Sequence, residues 1–357
     1  MSSGPTVALP APRPARVASV VGFLVVMELA SGITQGWISL LLPSFVERYG
    51  LTSADANWIT ASALLSTVVC VPLLSKLGDV YGHQRLLVVA ASLVAPGSVI
   101  VALAPSFTLL LVGRVLQGAI TAFLPLEFAI VRERAGENAG AAHPLVPLDM
   151  IRDGAQGLPL LAAFVFGAHL FGSSAPNAVF LGTDPGTVGF GLGLSGTALG
   201  GALVVLGAAM FLGTTLAART TARIGAAGTL ITGAVLSAAS YLATAVFHHD
   251  LVAFLVWQAG LGLGGGLVAA TLPTIVVARA PADSVGIASG LYNTARTAAG
   301  SVAGAVFAAV MSALVLQMGP KTVAAESAYV AVWVICACLA LIVAVLAVFV
   351  TRSRESA

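Results

Sequence analysis

Four ionisable residues of this 357-residue chain sit inside long apolar runs: Glu28, Arg114, Glu127 and Arg296. A charge near mid-bilayer costs about 2.5–3.5 kcal/mol on insertion scales, so such a residue faces a cavity or a partner and marks function by default. Three of them belong to polar stripes. Glu28 is followed by Ser31, Gln35 and Ser39, Arg114 by Gln117 and Thr121, and Arg296 is flanked by Ser289, Asn293 and Gly300. These spacings place each set on one helix face. At 1.5 Å per residue, Glu28 and Arg296 lie roughly 16 Å from one end of their runs, and Arg114 roughly 11 Å from the other end. All three fall in the central third of a hydrocarbon core about 30 Å thick. Glu127 lies near the end of its run, where snorkelling to water is easy. The chemistry on offer is proton loading and release at Glu28, beside two guanidinium groups. Either guanidinium could instead be structural, tied to helix ends or backbone carbonyls.

The elements that carry these residues follow from composition. Charged residues are 8% of the chain and hydrophobic residues 58%, whereas a soluble domain is about 25% charged. That excludes a soluble enzyme. A net charge of +2 excludes the basic footprint of a nucleic-acid partner. The long helical runs argue against a barrel of alternating strands. An all-α, polytopic bundle in a lipid bilayer is expected.

Ten spans are expected, at 17–42, 57–75, 86–104, 107–131, 156–180, 188–217, 226–247, 251–278, 285–316 and 328–350. Pro159, His169 and Pro176 interrupt the fifth. Residues 1–16 read as a disordered tail, 132–155 as a linker and 352–357 as a second tail. No cleaved signal peptide is expected, because the first apolar run is too long and leads directly into further spans. Twelve of the sixteen Lys and Arg fall in loops and tails on the side of the N-terminus. Two, Arg48 and Lys321, fall on the other side. That asymmetry supports an even span count, cytoplasmic termini and a cytoplasmic-membrane location.

Cys70, Cys336 and Cys338 lie in apolar runs and read as packing residues. No Cys/His metal spacing occurs, and no metal is expected at His248-His249-Asp250 in a short outer loop. Gly260, Gly262 and Gly265 formally match a dinucleotide motif, but that motif needs a strand-to-helix turn. Inside an apolar run, glycines instead serve close helix packing. The small-residue pairs Gly32/Gly36, Gly196/Gly200, Gly262/Gly266, Gly286/Gly290 and Gly300/Gly304 are candidates for it.

The loop after the second span reads Ser75-Lys76-Leu77-Gly78-Asp79-Val80-Tyr81-Gly82-His83-Gln84-Arg85. It resembles the loop signature of the major facilitator superfamily, departing from it at Ser75, Val80 and Gln84. Gly113-Arg114-Val115-Leu116-Gln117-Gly118 is similar to that family's fourth-helix motif. The run Met27–Gly32 with Gln35-Gly36 resembles the first helix of an actinobacterial-type drug-exporter branch, and the run Gly286–Arg296 resembles the fifth helix of the second half in its fourteen-helix drug:proton antiporters. The resemblance implies a cytoplasmic conformational latch at Gly78, Asp79, Gly82 and Arg85. It implies proton coupling through Glu28, Arg114 and Arg296, and a substrate cavity lined by Gln35, Trp37, Gln117, Tyr292 and Asn293.

The loop Arg219–Gly225 is a degenerate echo of the 75–85 loop, with Gly225 matching Gly82. If each loop follows the second helix of its half, the first bundle (17–131) has four spans and the second (156–351) has six. The 132–155 linker carries seven charges and cannot hold a span. About four helices of the family's longer pattern are therefore missing. The expected function is proton-gradient-driven efflux of small, moderately apolar compounds by alternating access, with no cofactor. A homo-oligomer could compensate for the missing helices. The rival reading is a shortened, non-transporting paralogue that acts as an assembly or regulatory partner, or has no function. An intramembrane enzyme lacks any catalytic constellation in the spans.

Overall fold

The computed structural model describes residue 38 and residues 41–123, 125–127, 130, 154–280, 285–318 and 321–352. The N-terminal tail, the residues after 352, and the linker up to residue 153 lie outside them. The chain begins, as described, with the helical end of the first span (α1, 41–49). Three helices follow: α2 (Ser53–Tyr81), α3 (His83–Leu103) and α4 (Phe107–Gln117), the last tightening into a 3-10 turn at Gly118–Ala122. The second bundle holds α5 (Gly154–Gly172), α6 (Ser174–Gly182), the single turn α7 (Pro185–Val188), α8 (Gly196–Phe247), α9 (Leu251–Ala278), α10 (Val285–Ala313) and α11 (Glu326–Arg352). Among the described residues, eight helices are long and apolar enough to cross a membrane. One of these, α8, is 52 residues long and breaks at Gly225, so it holds two of the expected spans.

Local chemistry explains several boundaries. Thr52 and Asp55 form a reciprocal capping box at the start of α2. Ser106 and Asp250 cap α4 and α9 through backbone N–H groups at Leu109 and Ala253. The fifth expected span divides into α5 and α6 at Ser173, with Pro159 tolerated inside α5. The ninth ends early. Residues Val315–Met318 leave the helix and pair antiparallel with Lys321–Ala324, Val315 opposite Ala324. This two-stranded hairpin is a small addition to the otherwise helical bundle.

The 75–85 loop and its echo share one device. Gly82 joins α2 to α3 at φ 94° and Gly225 turns α8 at φ 74°. Gly225 also has ψ 169°, a region essentially reserved for glycine. Alanine there is expected to cost about 1–3 kcal/mol. The melting temperature of Gly225→Ala in detergent should fall below those of the wild type and of Gly201→Ala, whose added methyl meets nothing within 4 Å.

Glycines also set the helix approach. A Cβ at Gly266 would stand 2.2 Å from the Met210 carbonyl oxygen, and one at Gly264 would stand 2.5 Å from that of Gly233. The glycine run of α9 is therefore wedged between the two limbs of α8, as packing and not as a nucleotide turn. Gly300 and Gly304 admit Leu64 and Ala61 of α2. A Cβ at Gly196 or Gly290 would meet nothing within 4 Å among the described residues. Gly32/Gly36 lies outside the described residues. Cys336 is buried and Cys338 exposed, in keeping with two different helix faces.

Candidate functional site

Arg114 is buried on α4, at 5% exposure. Its Nε donates to the Ile59 carbonyl of α2 at 2.9 Å, and its Nη1 donates to Gln117 Oε1 at 2.7 Å. Gln117 Nε2 in turn donates to Ser98 Oγ of α3 at 3.0 Å. One turn on, Thr121 donates to Thr67 Oγ1 at 2.9 Å and Thr67 to the Gly118 carbonyl at 3.1 Å. The expected stripe is thus a bonded seam joining α2, α3 and α4. The 3-10 turn begins where a Cβ on Gly118 would run into Ala63 and Ser66 of α2. A buried cation is retained only when its donors are occupied, and here the fork of the guanidinium supplies two of the bonds.

Arg296 occupies α10 differently. Its Nη2 donates to Asn293 Oδ1 at 3.1 Å. Its guanidinium lies 5.2 Å from the ring centre of Phe171 and 5.6 Å from that of Tyr292, contacts that favour a cation over an aromatic face. Arg296 Nε and the Tyr292 hydroxyl are buried, and neither has a hydrogen-bond partner among the described residues. Tyr292, Asn293 and Arg296 are therefore brought together. Among the described residues the two groups are not bonded to each other: Arg114 and Gln117 reach α2 and α3, while Arg296 bonds within α10 and lies over Phe171 of α5. They share α2 as a neighbour, because its Ile59 takes Arg114 and its Ala61 and Leu64 meet Gly304 and Gly300 of α10. Glu28, Gln35 and Trp37 lie outside the described residues. Glu127 is buried, at 5% exposure, so it does not reach water by snorkelling.

In the expected latch, Asp79 Oδ1 lies 3.1 Å from His83 Nε2 across the turn. The Gly82 N–H donates to the Gly78 carbonyl at 2.8 Å. A Cβ on Gly78 would collide with His83, at 2.8 Å. Arg85 is exposed. The loop is thus closed by Asp79 and His83, with Arg85 free of that contact.

Sequence reasoning missed a third buried group. The hydroxyls of Ser173 and Tyr241, 2.9 Å apart, both reach the His169 carbonyl, at 2.7 and 2.8 Å. The His169 ring stands edge-on to Phe166 and Tyr241, fully enclosed. Reading His169 only as an interruption of a span hid this group; a histidine deep in an apolar run was the available signal. Nearby, Trp333 donates to Asn177 Oδ1 at 2.7 Å.

A family model described as Major Facilitator Superfamily matches residues 24–142 and 158–357. The Multidrug resistance protein B homolog of Mycobacterium tuberculosis is 28% identical over 150 residues, covering 42% of this chain and 28% of that protein. MFS transporter L2 of Phoma sp. is 30% identical over 118 residues, covering 31% of this chain and 20% of that protein. The chain thus spans less than a third of the length of these curated relatives. The nucleoside transporter NupG superimposes with a TM-score of 0.69 at 12% identity, over 93% of this chain and 98% of that one. The human organic anion transporter MFSD10 gives 0.60 at 14% identity, over 93% and 94%. At these identities the structures speak for the fold alone.

Proposed function

The chain belongs to the major facilitator superfamily, and from that membership we propose that it is a proton-coupled exporter of small, moderately apolar compounds. The transporters named above are its relatives, and the chain is read as one of them, not as an enzyme. The observation that carries the reading is the group on α10. Arg296 and Tyr292 keep a buried Nε and a buried hydroxyl without hydrogen-bond partners among the described residues, against the ring of Phe171. Buried polar atoms next to an aromatic face suit a ligand that is mostly apolar and carries a few polar atoms. Gln35, Trp37, Gln117 and Asn293 complete the proposed cavity lining.

Protonation of Glu28 biases one of two arrangements of the bundles, with Arg114 and Arg296 as the neighbouring positive groups. The chain sits in the cytoplasmic membrane with both termini inside, and a homo-oligomer supplies the surface that the short first half lacks. The energy source is the proton gradient. The test is flux of a dye and drug panel in proteoliposomes under an imposed pH gradient. Wild-type protein is expected to show gradient-dependent flux, and Glu28→Gln is expected to lose the gradient dependence. Unchanged coupling in that variant would remove Glu28 from the mechanism. Absence of gradient-driven flux across the whole panel would favour a non-transporting paralogue.

A further inference from the structure

One polar cluster stands at the end of the bundle away from the two glycine loops. His248 follows the last residue of α8, His249 comes next, and Glu326 opens α11. His248 Nε2 lies 2.7 Å from Glu326 Oε1, and His249 Nε2 lies 3.4 Å from the same oxygen. One ligand atom from each residue falls within 4.8 Å of the others. The His248 ring is buried. It is held edge-on by Phe180 at 5.6 Å and packed against Trp333 at 5.2 Å.

The other ring nitrogen of His248 decides the chemistry. Nδ1 lies 3.0 Å from the Ala245 carbonyl and 3.2 Å from that of Thr244. Both oxygens only accept, so Nδ1 carries the hydrogen. In a neutral ring, the Nε2 lone pair then points at a carboxylate oxygen 2.7 Å away. Two acceptors cannot face each other at that distance without a positive charge between them. A second ring proton would serve the His248–Glu326 pair alone. His249 brings a second imidazole nitrogen to the same oxygen, which makes a ligand set. A ring N–H donated to a backbone carbonyl is the usual outer support of a metal-bound imidazole. Bonds of about 2.1 Å at the tetrahedral angle put ligand atoms about 3.4 Å apart. The His249–Glu326 separation already has that value, and the His248–Glu326 contact needs to open by less than about 1 Å to reach it.

We infer that His248, His249 and Glu326 form a binding site for one divalent cation of the zinc class. Two imidazoles disfavour magnesium and calcium, which take oxygen ligands. Asp250 is committed to capping α9, accepting from the Ala253 N–H at 2.8 Å, so the fourth position goes to water. The ion clips the α8–α9 turn to the start of α11. Sequence spacing pointed to no metal here because Glu326 is 78 positions from His248.

The test uses the purified, tag-free full-length chain, stripped with a chelator and titrated with Zn²⁺ by calorimetry. One saturable site per chain is expected. Glu326→Gln, His248→Gln and His249→Gln should each raise the dissociation constant roughly 100-fold or more. Zn²⁺ should raise the melting temperature of the wild type and leave that of Glu326→Gln unchanged. His249 is 66% exposed, so its replacement disturbs packing least, and loss of binding there, together with loss in Glu326→Gln, reports a lost ligand and not a lost fold. No saturable site, or binding unchanged in Glu326→Gln, would overturn it and leave an imidazolium–carboxylate pair.

Discussion

Replacing Gly167 with leucine is expected to leave no monodisperse protein after solubilisation, and alanine at the same position is expected to lower the melting temperature. A Cβ there would stand 2.0 Å from the Arg296 carbonyl oxygen, 2.6 Å from its carbonyl carbon and 2.7 Å from its Cα. The obstacle is backbone, so no rotamer change relieves it and α5 must move off α10. Overpacking a well-packed site costs about 1–3 kcal/mol and occasionally more. Here the displaced backbone belongs to the residue whose guanidinium lies over Phe171 on α5, so the same shift pulls the cation from its ring. Size-exclusion profiles and thermal unfolding in detergent provide the check. Gly207→Ala is the control, since its new methyl meets nothing within 4 Å and gains roughly 1 kcal/mol of helix propensity. Equal melting temperatures for Gly167→Ala and the control would refute the close approach.

Arg114→Met is expected to have the second largest effect. It removes the donor from the Ile59 carbonyl and from Gln117 Oε1, each a hydrogen bond to a charged group worth roughly 1.5–3 kcal/mol. The Gln117 side chain then loses the bond from Arg114 that holds it in place, and the seam to Ser98 on α3 loosens with it. Arg114→Lys should be intermediate, because a point charge on a flexible stem does not reproduce the planar fork. Melting temperature and flux measured on the same preparations separate two roles. If both fall together, Arg114 positions the first bundle. If flux falls while melting holds, the cation belongs to proton coupling.

The spans were legible because each needs about 20 apolar residues and little else has that signature. Their ends were less so. Arg219, Thr220, Thr221 and Arg223 lowered the hydropathy enough to suggest a gap between two spans, yet the helix runs through them and turns only at Gly225. Residues 315–316 were apolar enough to extend the ninth span, and an apolar run of that length does not separate strand from helix. The stripes at Arg114 and Arg296 were visible as spacing. Their partners were not, because Ile59 contributes a backbone oxygen and Phe171 an ordinary apolar side chain. Tertiary pairings such as Trp333 with Asn177, across 156 positions, leave no trace in any local window.

The first limb of α8, residues 196–224, packs through Gly213 onto α9. It leaves Val204 at 67%, Phe211 at 72% and Leu212 at 52% exposure. Up to Arg219 its apolar stretch is about 35 Å long at 1.5 Å per residue, several ångströms more than a hydrocarbon core of about 30 Å. Tilting is the way such a helix fits, and its outer face is left to the lipid. Acyl-chain length therefore acts on this limb directly. Thin membranes lay it over and thick ones stand it up, and through α9 that angle reaches the second limb. The lipid around this chain is in that sense a structural component, tuning the bundle by its thickness.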